Sequence, residues 1–94
     1  MVYVDDYRGR LGRMVMCHLL SDTSVDELHA FADRIGLRRA WFQTPEKCPH
    51  YDVSLGKRAA AVAAGAVHLP IRVGGEPNPE WLRVRQAARA LRTA

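Results

Sequence analysis

The run Met14 to Leu20 is hydrophobic at odd and even positions alike except at His18. A strand reads this way when both of its faces are covered, so the run is expected near the middle of a sheet. Val2 to Asp5 is a shorter strand, joined to it by a basic loop or wide hairpin, Arg8-Gly9-Arg10-Leu11-Gly12-Arg13. From Ser24 the period becomes helical. Leu28, Phe31, Ala32 and Ile35 form one stripe, and Gly36 ends it. The Ser24 hydroxyl can cap the first free amides, while Glu27, three residues on, can reach back to the Ser24 amide. Ala40 to Gln43 reads as a third strand and Thr44 to Pro49 as a loop, because its prolines suit neither helix nor interior strand. An alanine-rich helix follows over Leu55 to Ala64, with Asp52 or Ser54 as cap and Gly65 as its stop. Ala66 to Val73 is a strand that Pro70 confines to an edge or bulge, and Gly74 to Pro77 is a linker. Asn78 and Pro79 suit the cap and first turn of a last helix with the stripe Trp81, Val84, Ala88 and Leu91.

The order β, β, α, β, α, β, α predicts a small single-domain α/β sandwich of about four strands, mixed or partly parallel, with about three helices. Residues 1–73 make the core, and residues 74–94 add a linker and a basic amphipathic helix packed on or beside it. Ninety-four residues support one hydrophobic core. At 48% hydrophobic and 26% charged, the composition excludes a disordered chain. No apolar run reaches the roughly 20 residues of a membrane span, and the start lacks a basic-then-apolar leader, so the expected location is cytoplasmic and no membrane partner is expected. Cys17, in an apolar run, reads as core; Cys48, two residues before His50, could reach a metal.

Charge changes the picture only at the end of the chain. Of the formal +4, +3 lies from Asn78 onward, where Arg83, Arg85, Arg89 and Arg92 face Glu80 alone. Such a helix can track phosphate backbone, meet an acidic protein or pair with a second copy of the chain, although solvated arginines often serve solubility alone.

Candidate chemistry comes from histidines near carboxylates: His18 before Asp22, His29 after Asp26 and Glu27, and His50 in His50-Tyr51-Asp52. Imidazole beside carboxylate serves metal ligation and general-base catalysis. If the segment is extended, His50 and Asp52 point to one side and Tyr51 to the other. The plainer alternative makes Asp52 the helix cap and His50 a surface residue. His18 in an apolar strand is commonly a hydrogen-bonded core histidine, and His29 sits about 100° from Leu28 at the flank of its helix. Asp5, His18 and the His50 to Asp52 segment fall near strand ends, and parallel strands would gather them on one edge. Arg13 could hold a phosphate or pair with Asp5 or Asp6, and Tyr51 and Trp41 could stack on a base. His68 reads as structural.

The motifs Tyr3-Val4-Asp5-Asp6, Gly12-Arg13-Met14-Val15-Met16-Cys17-His18, Glu27-Leu28-His29, Ala32-Asp33-Arg34-Ile35-Gly36, and His50-Tyr51-Asp52 with Lys57-Arg58 resemble the small bacterial and phage family known as domain of unknown function 4031. The resemblance covers about Val2 to Val73. It maps the family pattern onto Asp5, Arg13, His18, Asp22, His29, His50, Tyr51 and Asp52, and departs in the Thr44 to Pro49 loop and the terminal helix. No reaction comes with it. Relatives that carry the domain ahead of a phosphohydrolase-type domain imply nucleotide or nucleic-acid metabolism.

Two functions of different class follow. One is metal-assisted phosphoester hydrolysis or binding of a small phosphorylated ligand. In it His18, His29, His50 and Asp52 act as catalytic groups, His18, His50 and Asp52 bind a divalent metal, and Arg13 and Tyr51 bind substrate. The other is a non-catalytic nucleic-acid or protein binding module using the basic loop and Arg85, Arg89 and Arg92. The first requires three of the four catalytic groups within roughly 5 Å of a common point, as an apo ligand set would be.

Overall fold

A computed structural model describes residues 1–44 and 48–91. Strands β1 (Val2–Asp5), β2 (Gly9–Leu11) and β3 (Met14–Ser21) are followed by helix α1 (Val25–Arg34). A 3-10 turn over Arg39–Trp41 leads into β4 (Phe42–Gln43), then β5 (His50–Ser54) and α2 (Leu55–Ala63). Strand β6 (Val67–Leu69), the hairpin β7 (Arg72–Val73) and β8 (Glu76–Pro77), and α3 (Pro79–Arg89) complete the chain. The main sheet runs β4-β5-β3-β1-β6, with β2 also on β3. Among the described residues only β1 and β6 pair in parallel; the other pairings are antiparallel.

The chain is thus an α/β fold with a mixed sheet and three helices, and β3 is its central strand, as its apolar run predicts. Alternation assigns the two faces. Val2, Val4, Cys17, Leu19, Tyr51 and Val53 meet Leu28, Phe31 and Ala32 of α1 and Ala61 of α2 on one. On the other, Tyr3, Leu20 and Leu69 receive Val84 of α3, with Trp81 and Cys48 at the margin. Two helices cover the first face fully. A single helix leaves the β5 half of the second face available for polar side chains.

The predicted caps form, with one relay. Ser24 accepts from the Glu27 amide at 3.0 Å and Asn78 accepts from the Glu80 amide at 3.1 Å. The Ser24 amide, however, donates to the Ser21 hydroxyl, and Ser21 donates in turn to Glu27 at 2.6 Å. Ser54 rather than Asp52 accepts from the Lys57 amide at the start of α2, which leaves Asp52 to the sheet.

Three expectations change. Residues 40–43 give a 3-10 turn and a two-residue strand, with Trp41 exposed. The Ala66 to Val73 segment ends at Leu69 before Pro70, which cannot donate to a ladder, and Gly74 and Gly75, both at positive φ, close a separate two-stranded hairpin. The strand His50–Ser54, absent from the expected element order, is instead paired on both sides, to β3 and to β4.

Candidate functional site

The site starts from an irregularity in the sheet. Strands β1 and β2 pair with the same edge of β3, with Val4 opposite Leu19 and Gly9 opposite Met16. Four residues, Asp5 to Arg8, therefore face only Cys17 and His18, and the excess chain bulges. The bulge leaves the His18 amide without a backbone acceptor. The Asp5 carboxylate, 1% exposed, fills that place: Oδ1 accepts from the His18 amide at 2.8 Å and from the Tyr7 amide at 3.1 Å. The second contact is an Asx-turn that shapes the bulge. The other oxygen, Oδ2, accepts from His18 Nδ1 at 2.8 Å. Tyr7, delivered by the same bulge, stacks on the His18 ring with centroids 4.6 Å apart and planes 13° from parallel. His18 is fixed through both its backbone and its ring.

Antiparallel register brings in the rest. His18 lies directly opposite Asp52, and His50, two residues before Asp52 on β5, projects from the same face. The His18 and His50 rings meet edge to face at 5.0 Å. His50 Nδ1 donates to the Cys48 carbonyl at 2.9 Å, because a carbonyl can only accept. With both Nδ1 atoms engaged, the two Nε2 atoms turn to one oxygen, Asp52 Oδ1, at 3.2 Å from His50 and 3.8 Å from His18. Gln43, opposite His50 on β4, donates to Asp52 Oδ2 at 2.6 Å and fixes the carboxylate plane. One atom each from His18, His50 and Asp52 lies within 4.8 Å of the others. In their neutral tautomers both Nε2 atoms carry lone pairs, so three electron-rich atoms converge and a cation between them would relieve the repulsion. This pattern, imidazoles oriented through Nδ1 by a carboxylate or a carbonyl, is that of histidine metal ligands.

The other expected residues lie elsewhere. His29 projects from α1 on the opposite face of the sheet, its Nδ1 2.7 Å from the Tyr51 hydroxyl and its ring against Phe42. Desolvation by burial, helped by the Arg39 charge, holds His29 below its ordinary value of 6.5. It is not part of the converging group. Tyr51 is fully buried on that same helical face, since side chains alternate on β5, so a ligand beside His50 does not meet it. Arg13 is in the exposed turn of the β2–β3 hairpin, five residues and roughly 17 Å along the strand from His18. The strand start it occupies is exposed rather than buried, and no pairing of Arg13 with Asp5 or Asp6 occurs among the described residues. Asp22, mapped by the family pattern, instead joins the Met1 amine, Tyr3 and Arg83 at the far end of β3. The Cys48 thiol contacts the Pro49 carbonyl and stands outside the metal-competent group; its backbone oxygen orients His50. Arg85 and Arg89 are exposed on α3, and Arg92 lies outside the described residues, as do residues 45–47 of the loop. Convergence arises on a sheet face, through antiparallel register, and not at the carboxyl edge of parallel strands.

Sequence reading missed two supporting residues, Tyr7 and Gln43, and offered Asp5 as a partner of Arg13 or a strand-end group rather than as the acceptor for His18. Asp5 had a signal, as a carboxylate ending an apolar strand and included in the family pattern. Tyr7 and Gln43 had none, because their contacts depend on the bulge and on the β4–β5 register.

No curated protein and no solved structure matches the chain. A family model matches residues 2–76, a span that contains Asp5, His18, His50 and Asp52 and stops before α3. With most of its length inside that match, the chain belongs to the family described as protein of unknown function (DUF4031).

Proposed function

We propose that the chain binds a divalent metal ion through His18 Nε2, His50 Nε2 and Asp52, and that the ion activates water for hydrolysis of a phosphoester. One observation carries the reading: both imidazoles spend Nδ1 on fixed acceptors, Asp5 and the Cys48 carbonyl, so that both Nε2 atoms face one carboxylate oxygen. Ligands bound at about 2.0–2.1 Å stand roughly 3–3.5 Å apart, so closing on an ion from the present 4.8 Å limit needs only side-chain shifts of about 1 Å. Two imidazoles and a carboxylate suit zinc and other borderline divalent ions, and three protein ligands leave positions for water and substrate. An ion so held lowers the pKa of its water toward neutrality and polarises a phosphoryl oxygen. The net charge of +4 favours an anionic substrate over a neutral one.

The test is a zinc titration of the purified chain by calorimetry, with anomalous scattering to locate the ion, followed by assay of metal-loaded protein on p-nitrophenyl phosphate and bis(p-nitrophenyl) phosphate. One ion per chain is expected, with loss of binding on His50→Ala or Asp52→Ala. Absence of stoichiometric binding by zinc, manganese and iron(II) refutes the metal site. Metal binding without turnover of either ester refutes the hydrolase.

A further inference from the structure

Helix α3 lies beyond the family match and yet on the same face of the sheet as the His18, His50 and Asp52 group. Val84 seats it against Tyr3, Leu20 and Leu69, and Ala88, one turn on, is also fully buried. The buried stripe fixes the helix's rotation and therefore its flanks, because residues four apart share a side. One flank carries Arg83, which is bound to Glu80, Tyr3 and Asp22 at the far end of β3. The other carries Trp81, Arg85 and Arg89 in one row. Trp81 packs at the margin of the same cluster as Cys48, whose carbonyl orients His50. The Arg85 guanidinium lies over the Trp81 ring, 5.2 Å from its centroid, which holds its long side chain beside that margin. Trp81 and Cys48 thus border one apolar cluster, and the Cys48 backbone leads from it to His50.

We propose that Arg85 and Arg89 form the anion-recognition side of the His18, His50 and Asp52 site, holding the phosphoryl oxygens of an ester substrate beside the metal. For its chemistry this rests on the metal reading above; its binding test does not. Two guanidiniums four residues apart on a helix stand about 6 Å from one another at Cβ, close enough to converge on one phosphate group. Each presents a planar fork that matches phosphate oxygens in pairs. The terminal arginines then belong to the same site as the histidines and not to a separate nucleic-acid surface. Helix α3 falls outside the residues matched by the family model, whereas His18, His50 and Asp52 fall inside them.

The experiment measures inorganic phosphate binding by the full chain, with and without zinc, for the wild type, Arg85→Gln plus Arg89→Gln, Arg85→Lys plus Arg89→Lys, and a control. Arg34→Gln plus Arg38→Gln serves as the control, removing the same charge at the end of α1 on the other face. Both arginines of the test pair are exposed, so circular dichroism is expected to be unchanged. The glutamine pair is expected to weaken phosphate binding at least tenfold, the lysine pair by less, and the control by under twofold, with zinc stoichiometry equal in all four. Equal phosphate affinity in wild type and glutamine pair overturns the inference, as does failure of the wild type to bind phosphate at millimolar concentration. An equal loss in the control also overturns it, by assigning the effect to net charge. If zinc fails to bind while the phosphate difference persists, the metal reading falls and the anion site stands.

Discussion

Asp5→Asn is the most informative single change, because it keeps shape while altering one hydrogen-bond polarity. The Asp5 carboxylate accepts three hydrogen bonds in a position 1% exposed to solvent. Asparagine can keep its carbonyl oxygen on the His18 and Tyr7 amides, but its NH₂ then faces His18 Nδ1 and can only donate. His18 must answer by moving its proton to Nε2, the atom that faces Asp52. A protonated Nε2 has no lone pair for a metal. Removing such an orienting partner typically costs 10- to 100-fold in metal affinity, or about 1.4–2.7 kcal/mol. The fold should lose less, about 1–2 kcal/mol, since only one of the three bonds changes. Asp5→Ala, by contrast, takes the acceptor from the His18 and Tyr7 amides, of which Tyr7 belongs to an exposed residue, and should cost about 1–3 kcal/mol. The assay is zinc affinity by competition with a chelator, run with thermal unfolding, and the imidazole tautomer is read from nitrogen chemical shifts without metal. Zinc affinity within twofold of wild type, with the His18 tautomer unchanged, would refute the proposed orientation of His18.

Two further predictions separate this site from the rest of the molecule. Tyr51→Phe removes the hydroxyl beside His29 in a fully buried position and should cost about 1 kcal/mol in denaturant unfolding while leaving zinc affinity unaltered; a large loss of zinc would mean that the two faces are coupled. Burial would raise the Asp22 carboxyl, but hydrogen bonds from the Met1 amine, Thr23 and Tyr3 outweigh it and hold the group at about 2, against an ordinary 3.8. Its folded-state value is depressed, so its contribution to stability is complete above about pH 4 and disappears as the pH falls toward 2. Asp22→Asn should lower stability at neutral pH and flatten the acid limb of the pH profile; an unchanged slope between pH 4 and 2 would exclude Asp22 as its source.

The local elements were written in the sequence because their causes are local. Ser24 and Glu27 open α1, Asn78 and Pro79 open α3, and the two-sided apolar run of β3 declares a central strand. The parity of β5 also followed from the chain alone: once extended, His50 and Asp52 had to share a face and Tyr51 had to leave it. What the chain could not declare was which strand lies beside which, because register is set by the whole buried face and a slip of one residue reverses every side chain. The His18–Asp52 pairing, the bulge that places Asp5 behind His18, and the diversion of His29 to the opposite face are consequences of that tertiary choice. So is the seating of α3: the charge of its arginines is a property of composition, whereas the face of the sheet on which the helix lies is decided by Val84 packing with Tyr3, Leu20 and Leu69.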